Sequence, residues 1–139
     1  MIRLSAAVVV ATLCALLWQR PVPAAPVPAA PAEATFARDV APILYAKCVA
    51  CHRPGEVAPM ALRTYEEVRP YARAIKDKVV SRQMPPWMAD RAIGHFTNDP
   101  SLSASDVDTI VRWVDGGTPQ GNLADLPALP VFPEGWQLG

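Results

Sequence analysis

The run Cys48-Val49-Ala50-Cys51-His52 decides how the rest of the chain is read. It is a C-x-x-C-H pattern, the spacing used for attachment of a c-type haem. Two residues between the cysteines place both sulfurs on one side of a helical turn, at a separation that suits two vinyl groups of one porphyrin. His52 follows directly and can turn its imidazole onto the iron. Three other chemistries use parts of the pattern. A thioredoxin-like thiol/disulfide motif sits between a strand and a helix, and no strand pattern precedes Cys48. A structural zinc needs a fourth ligand and usually a second Cys or His pair, whereas the other histidine, His95, has no partner near it. A plain disulfide between Cys48 and Cys51 leaves His52 incidental. Covalent haem c, one per chain, is the reading that employs all three residues, with Cys48 and Cys51 as attachment points and His52 as proximal iron ligand.

Working outward, the motif falls at the end of a helical pattern. Thr35 is a candidate N-cap, and Phe36, Val40, Ile43, Leu44 and Lys47 recur at helical spacing up to Cys48. Pro42 interrupts this helix: it marks either a kink or the true first turn, in which case Asp39 is the cap. A second helix is signalled by the capping box Thr64-x-x-Glu67 and runs from Tyr65 towards Ser81, with Val68, Tyr71, Ala72, Ile75 and Val79 on one face and Pro70 splitting its start. The third signal is the cleanest. Ser103-x-x-Asp106 caps a helix whose Val107, Ile110, Val111 and Val114 recur at i, i+3, i+4 and i+7, and Gly116-Gly117 end it. Its natural partner is the apolar face of the first helix, which would bring both ends of the core together beside the haem. The fold class expected is mainly α, a small helical domain with long Pro-rich loops.

Composition agrees with short helices in long loops. Sixteen prolines in 139 residues argue against a long sheet or an unbroken bundle. Thirteen basic and 13 acidic side chains exclude a basic nucleic-acid footprint, so no nucleic-acid partner is expected. The first residues read as an address. Arg3 precedes the apolar run Leu4–Trp18, too short for a comfortable membrane span of about 20 residues but matching the h-region of a secretory signal. Cleavage after Ala24 is favoured over Ala29, giving a signal peptide (1–24) and a Pro/Ala-rich linker (25–34). Membrane association is expected only if the signal is an uncleaved anchor. Cys14 is not a lipoprotein cysteine, because Leu13 stands where a small residue is needed. The mature chain then has 11 basic and 13 acidic side chains and is periplasmic or secreted. Residues 35–120 form the haem domain. The tail 121–139 alternates Leu123, Leu126, Leu129, Val131 and Phe132 with Pro127, Pro130 and Pro133, a pattern that orders only by lying along the core or a neighbour, with Trp136 as anchor. Of the aromatics, Trp113 is expected between helices, and Trp87 and Tyr71 are expected as core residues, with a haem-lining role as the other reading. Arg53 is either a propionate partner or a surface charge.

These residues resemble class I c-type cytochromes, in which a haem motif ends an N-terminal helix that a C-terminal helix crosses; the likeness covers about Phe36 to Pro119. Within that class, Cys51-His52-Arg53-Pro54-Gly55-Glu56, Met84-Pro85-Pro86-Trp87, Gly94-His95-Phe96-Thr97-Asn98-Asp99 and Trp113-Val114-Asp115-Gly116-Gly117 are similar to the cytochrome domains that precede copper type II ascorbate-dependent monooxygenase-like domains. The tail Phe132–Gly139 is similar to the start of the linker in such fusions. The resemblance implies a cytochrome c-like fold wrapped around one haem, and partners that are redox proteins, a copper monooxygenase-like protein among them. For the sixth ligand, thioether sulfur is the first choice. Met84 lies 32 residues beyond His52 and is followed by Pro85-Pro86, which would stiffen its loop. Met88 and His95 are the competitors; Met60, eight residues after His52, is expected to pack under the haem-edge loop. The expected function is one-electron transfer without catalytic residues. The alternatives are a haem protein with an open or labile sixth site that binds or reduces a small ligand, and a haem-free thiol/disulfide protein.

Overall fold

The computed structural model of the chain describes residues 33–90 and 93–132. The signal peptide, most of the linker and the tail from Pro133, Trp136 included, lie outside the described residues. The described residues are helical, with no strand among them. A π-helical turn, Phe36–Val40, runs into α1 (Ala41–Lys47); α2 (Tyr65–Val68), a 3-10 turn (Arg69–Tyr71) and α3 (Ala72–Val80) form a second, segmented helix; α4 (Ala104–Asp115) follows, and a 3-10 turn (Leu123–Asp125) begins the tail. Among the described residues no helix is long and apolar enough to cross a membrane.

The prolines explain the segmentation. Pro42 has no N–H, and its ring would collide with a carbonyl one α-helical turn earlier. The chain widens that turn: the Ala41 N–H bonds five residues back, to the Phe36 carbonyl, and Pro42 enters the first turn of α1. Thr35 remains the cap, its hydroxyl accepting from the Arg38 N–H. Asp39 accepts from the Thr35 N–H at 2.7 Å, so it supports the cap and does not replace it. Pro70 acts in the same way on the second helix. Its 3-10 turn changes the angular step between α2 and α3, and Tyr71 leaves the apolar face: Val68, Ala72 and Val79 are buried, whereas Tyr71 is exposed. Both expected capping boxes form, Thr64 with Glu67 and Ser103 with Asp106.

Two apolar clusters hold these pieces. Phe36 packs edge-on against Tyr65 with ring centroids 5.6 Å apart and lies 6.2 Å from Trp113. Val40, Leu44, Tyr45, Val49, Leu62 and Val68 belong to the same cluster. Val79, Leu102 and Ile110 form the second, with Ile43, Ile75, Val107 and Val114 packed around them. Each fully buried large side chain contributes about 1.5–3 kcal/mol. Trp113, as expected, sits between the helices, and its Nε1 donates to the Pro119 carbonyl at 3.0 Å.

The two ends of the core do meet. The Phe36 and Ala37 N–H groups donate to the carbonyls of Pro119 and Gln120, both at 2.9 Å. Ala34, assigned to the linker from sequence, is buried in the first cluster, so the packed chain begins there. Gly121 lets the tail pass this close: its φ is +79°, and a Cβ there would come within 2.6 Å of the Thr35 side chain. Beyond it the tail lies along the core, with Leu126 and Phe132 packed against the first cluster.

Candidate functional site

The C-x-x-C-H run begins where α1 ends. Cys48 caps the helix, its N–H bonding to the Leu44 carbonyl at 2.8 Å. The Cys48 carbonyl then accepts from both the Cys51 N–H (3.1 Å) and the His52 N–H (2.9 Å), closing a further turn that carries the second thiol and the imidazole. Val49, fully buried, pins that turn into the core. Cys48 is partly buried and Cys51 exposed, and neither is in a disulfide. Burial, with a smaller contribution from Cys51, pushes the Cys48 thiol up to about 12. At a helix C-terminus the dipole also disfavours a thiolate. The attacking cysteine of a disulfide-exchange pair needs the reverse, a lowered thiol pKa, so Cys48 does not suit that role.

His52 is oriented from behind. Its Nδ1 lies 3.2 Å from the Met60 carbonyl, which makes Nδ1 the donor of that bond in the neutral ring and leaves Nε2 with a lone pair free to bind a metal. A metal-bound histidine is held in this way, by a hydrogen bond to its other nitrogen. The loop that supplies this carbonyl is itself tied back to the motif: Ala58 N–H to the Cys51 carbonyl at 3.2 Å, Leu62 N–H to the His52 carbonyl at 3.0 Å. Met60 is partly buried and packs against the first cluster.

The distal segment is built differently. After α3 the N–H groups of Gln83 and Met84 both bond to the Lys78 carbonyl, and Pro85, joined to Met84 by a cis bond, is buried. The Met84 side chain is 40% exposed, Met88 98% exposed, and His95 is exposed. Trp87 stacks edge-on with Phe96 at 5.5 Å, partly buried, and its Nε1 is buried without a hydrogen-bond partner among the described residues. Val80, Met84, Met88, Ile93 and Phe96 concentrate exposed apolar surface in this one stretch.

The residues present fit a covalently attached haem. The thiols are free, the imidazole is held at Nδ1, and the distal stretch offers an uncovered apolar face and an orphaned indole N–H. They do not fit a zinc site, since no group of three or more His, Cys, Asp or Glu side chains converges among the described residues. Arg53 is not a free surface charge. Its guanidinium donates to the Ala50 carbonyl (2.9 Å) and to Glu56 (2.6 Å), and lies 4.2 Å from the centre of the Phe132 ring. Two contributors therefore had no readable signal. The Met60 partner is a backbone carbonyl, which no side chain announces, and the Arg53–Phe132 contact joins positions far apart in the chain. No family model, curated protein or solved structure matches the chain.

Proposed function

We propose that the chain carries one haem c, attached through Cys48 and Cys51 and ligated by His52 and Met84, and relays single electrons between exported redox proteins. The observation that carries this reading is the His52 imidazole, held at Nδ1 by the Met60 carbonyl beside two free thiols at a helix end. A bound haem supplies a one-electron couple whose potential follows the axial pair, burial and edge hydrogen bonds. The chain's own residues do the rest. The Met60 carbonyl fixes the ring and raises its basicity, the exposed apolar side chains of the distal stretch are surface available to cover a bound haem, and Trp87 Nε1 is a spare donor for an acidic group. No residue is assigned a catalytic task, so the protein is read as an electron carrier and not an enzyme. Export by the 1–24 leader places it in the periplasm or outside the cell. The motif likeness makes a copper monooxygenase-like protein the first partner to try.

The exposure of Met84 favours a second reading, an open or labile sixth site for a small ligand. The absorption spectrum of the reduced, exported protein separates the two. A low-spin spectrum unchanged by carbon monoxide supports electron relay. A shift with carbon monoxide supports the second reading, and the absence of a Soret band overturns both in favour of thiol chemistry.

A further inference from the structure

Arg53 and Phe132 join the Cys48–His52 turn to the C-terminal segment. Arg53 follows the imidazole directly, and its planar guanidinium reaches back to the Ala50 carbonyl at 2.9 Å and forward to Glu56 Oε1 at 2.6 Å. It thus staples the turn from both sides of Cys51 and His52. Phe132, 79 positions later, closes over it, with the guanidinium carbon 4.2 Å from the ring centroid. The Arg53 side chain is only 20% exposed, so the stack is partly desolvated, and a cation over an aromatic face gains strength as water leaves. Phe132 is itself packed on the first cluster.

We propose that Arg53 is a positioning residue for the His52 ligand and that Phe132 clamps it, so that the segment carrying Phe132 sets how rigidly the proximal imidazole is held. This rests on the haem reading above. The geometry explains the residue types: a lysine could keep the charge but could not span Ala50 and Glu56 with two donors fixed in one plane. An aliphatic residue at 132 could keep the burial but has no π face for the cation. A partner or chain segment that lifted Phe132 would loosen the turn that carries the iron ligand.

The test uses the full exported chain and three variants: Phe132→Leu, Phe132→Tyr and Arg53→Lys. Phe132→Leu leaves the attachment motif complete and should raise the amide hydrogen exchange rates of His52, Ala58 and Leu62 about fivefold, with α4 unchanged. It should also shift the midpoint potential. Phe132→Tyr should restore both, and Arg53→Lys should behave like Phe132→Leu. Faster exchange with an unchanged potential would overturn the positioning role and leave a structural strap. Unchanged exchange in Phe132→Leu would overturn the clamp itself. Absence of haem from the wild-type chain would sink the haem reading, whereas full haem content with an unshifted potential in Phe132→Leu sinks the positioning role and leaves the haem reading standing.

Discussion

The two stretches proposed to flank a haem iron are held in opposite ways. The proximal stretch, from Cys48 to Leu62, is tied down from within: Val49 is buried, the Cys48 carbonyl takes two N–H groups, the Met60 carbonyl holds His52, and Arg53 staples the turn. The distal stretch, from Arg82 to Leu102, is joined across its ends and carries a buried Pro85 and the Trp87–Phe96 ring pair, yet leaves much apolar surface outside. There Arg82 donates to the Leu102 carbonyl at 2.7 Å, while Met84, Met88, Ile93 and Phe96 face solvent. One side is organised by the polypeptide alone. The other presents apolar surface of the kind that a flat apolar partner would cover. On the haem reading proposed above, the contrast puts rigidity on the attachment side and adaptability on the side proposed to supply the sixth ligand.

The largest expected effect is on the scaffold both stretches share. Trp113→Ala removes a fully buried ring and the Nε1 bond to Pro119, and should cost about 3–5 kcal/mol, read from the denaturant midpoint. If that loss is under about 1 kcal/mol, the two stretches do not depend on a common core in the way described. A smaller effect separates them. Met84→Ala should remove the weak thioether-to-iron band of the oxidised protein and lower the midpoint potential by an amount on the order of 0.1 V, a fraction of the roughly 0.8 V that axial ligands span. Met60→Ala and Met88→Ala should leave the band in place. Were Met88→Ala or His95→Ala to abolish it instead, the distal assignment would move along the loop, with the proximal one untouched.

The smallest effect is a pH dependence confined to the helix starts. Burial pushes the Asp39 carboxyl up, but hydrogen bonds from the Arg38 side chain and the Thr35 N–H, with the Arg38 charge, outweigh it and leave it below the usual carboxylate range. Glu67 is likewise pushed up by burial and brought lower overall by the Arg63 side chain and the N–H groups of Arg63 and Thr64. A carboxylate depressed in the folded state stabilises above its unfolded value, about 4, and loses that contribution as pH falls through the folded value. Asp39→Asn and Glu67→Gln should each cost about 1 kcal/mol at pH 7 and flatten the acid limb of stability. An unchanged acid limb in both variants would show that these caps do not couple to protonation.

How much of this was legible in the sequence follows from the range of each interaction. Thr64 with Glu67 and Ser103 with Asp106 act over three residues, so their capping boxes could be read directly and formed as read. The end of α1 at the motif was equally local. Pro42 and Pro70 signalled interruptions, but not their form. The first was absorbed by a π turn, the second by a 3-10 turn that rotated Tyr71 outward. The Cys and His residues of the site announce themselves by spacing. Their supports do not, because the Met60 carbonyl is backbone and Phe132 reaches Arg53 only through the path of the whole chain.

The central claim is covalent haem on Cys48 and Cys51, and the intact mass of the exported chain tests it most directly. The account predicts the mature polypeptide plus one haem, retained through acid-acetone extraction and lost from the double variant Cys48→Ser, Cys51→Ser. A chain at apoprotein mass with both thiols open to alkylation, made in cells that carry the haem attachment machinery, would contradict it.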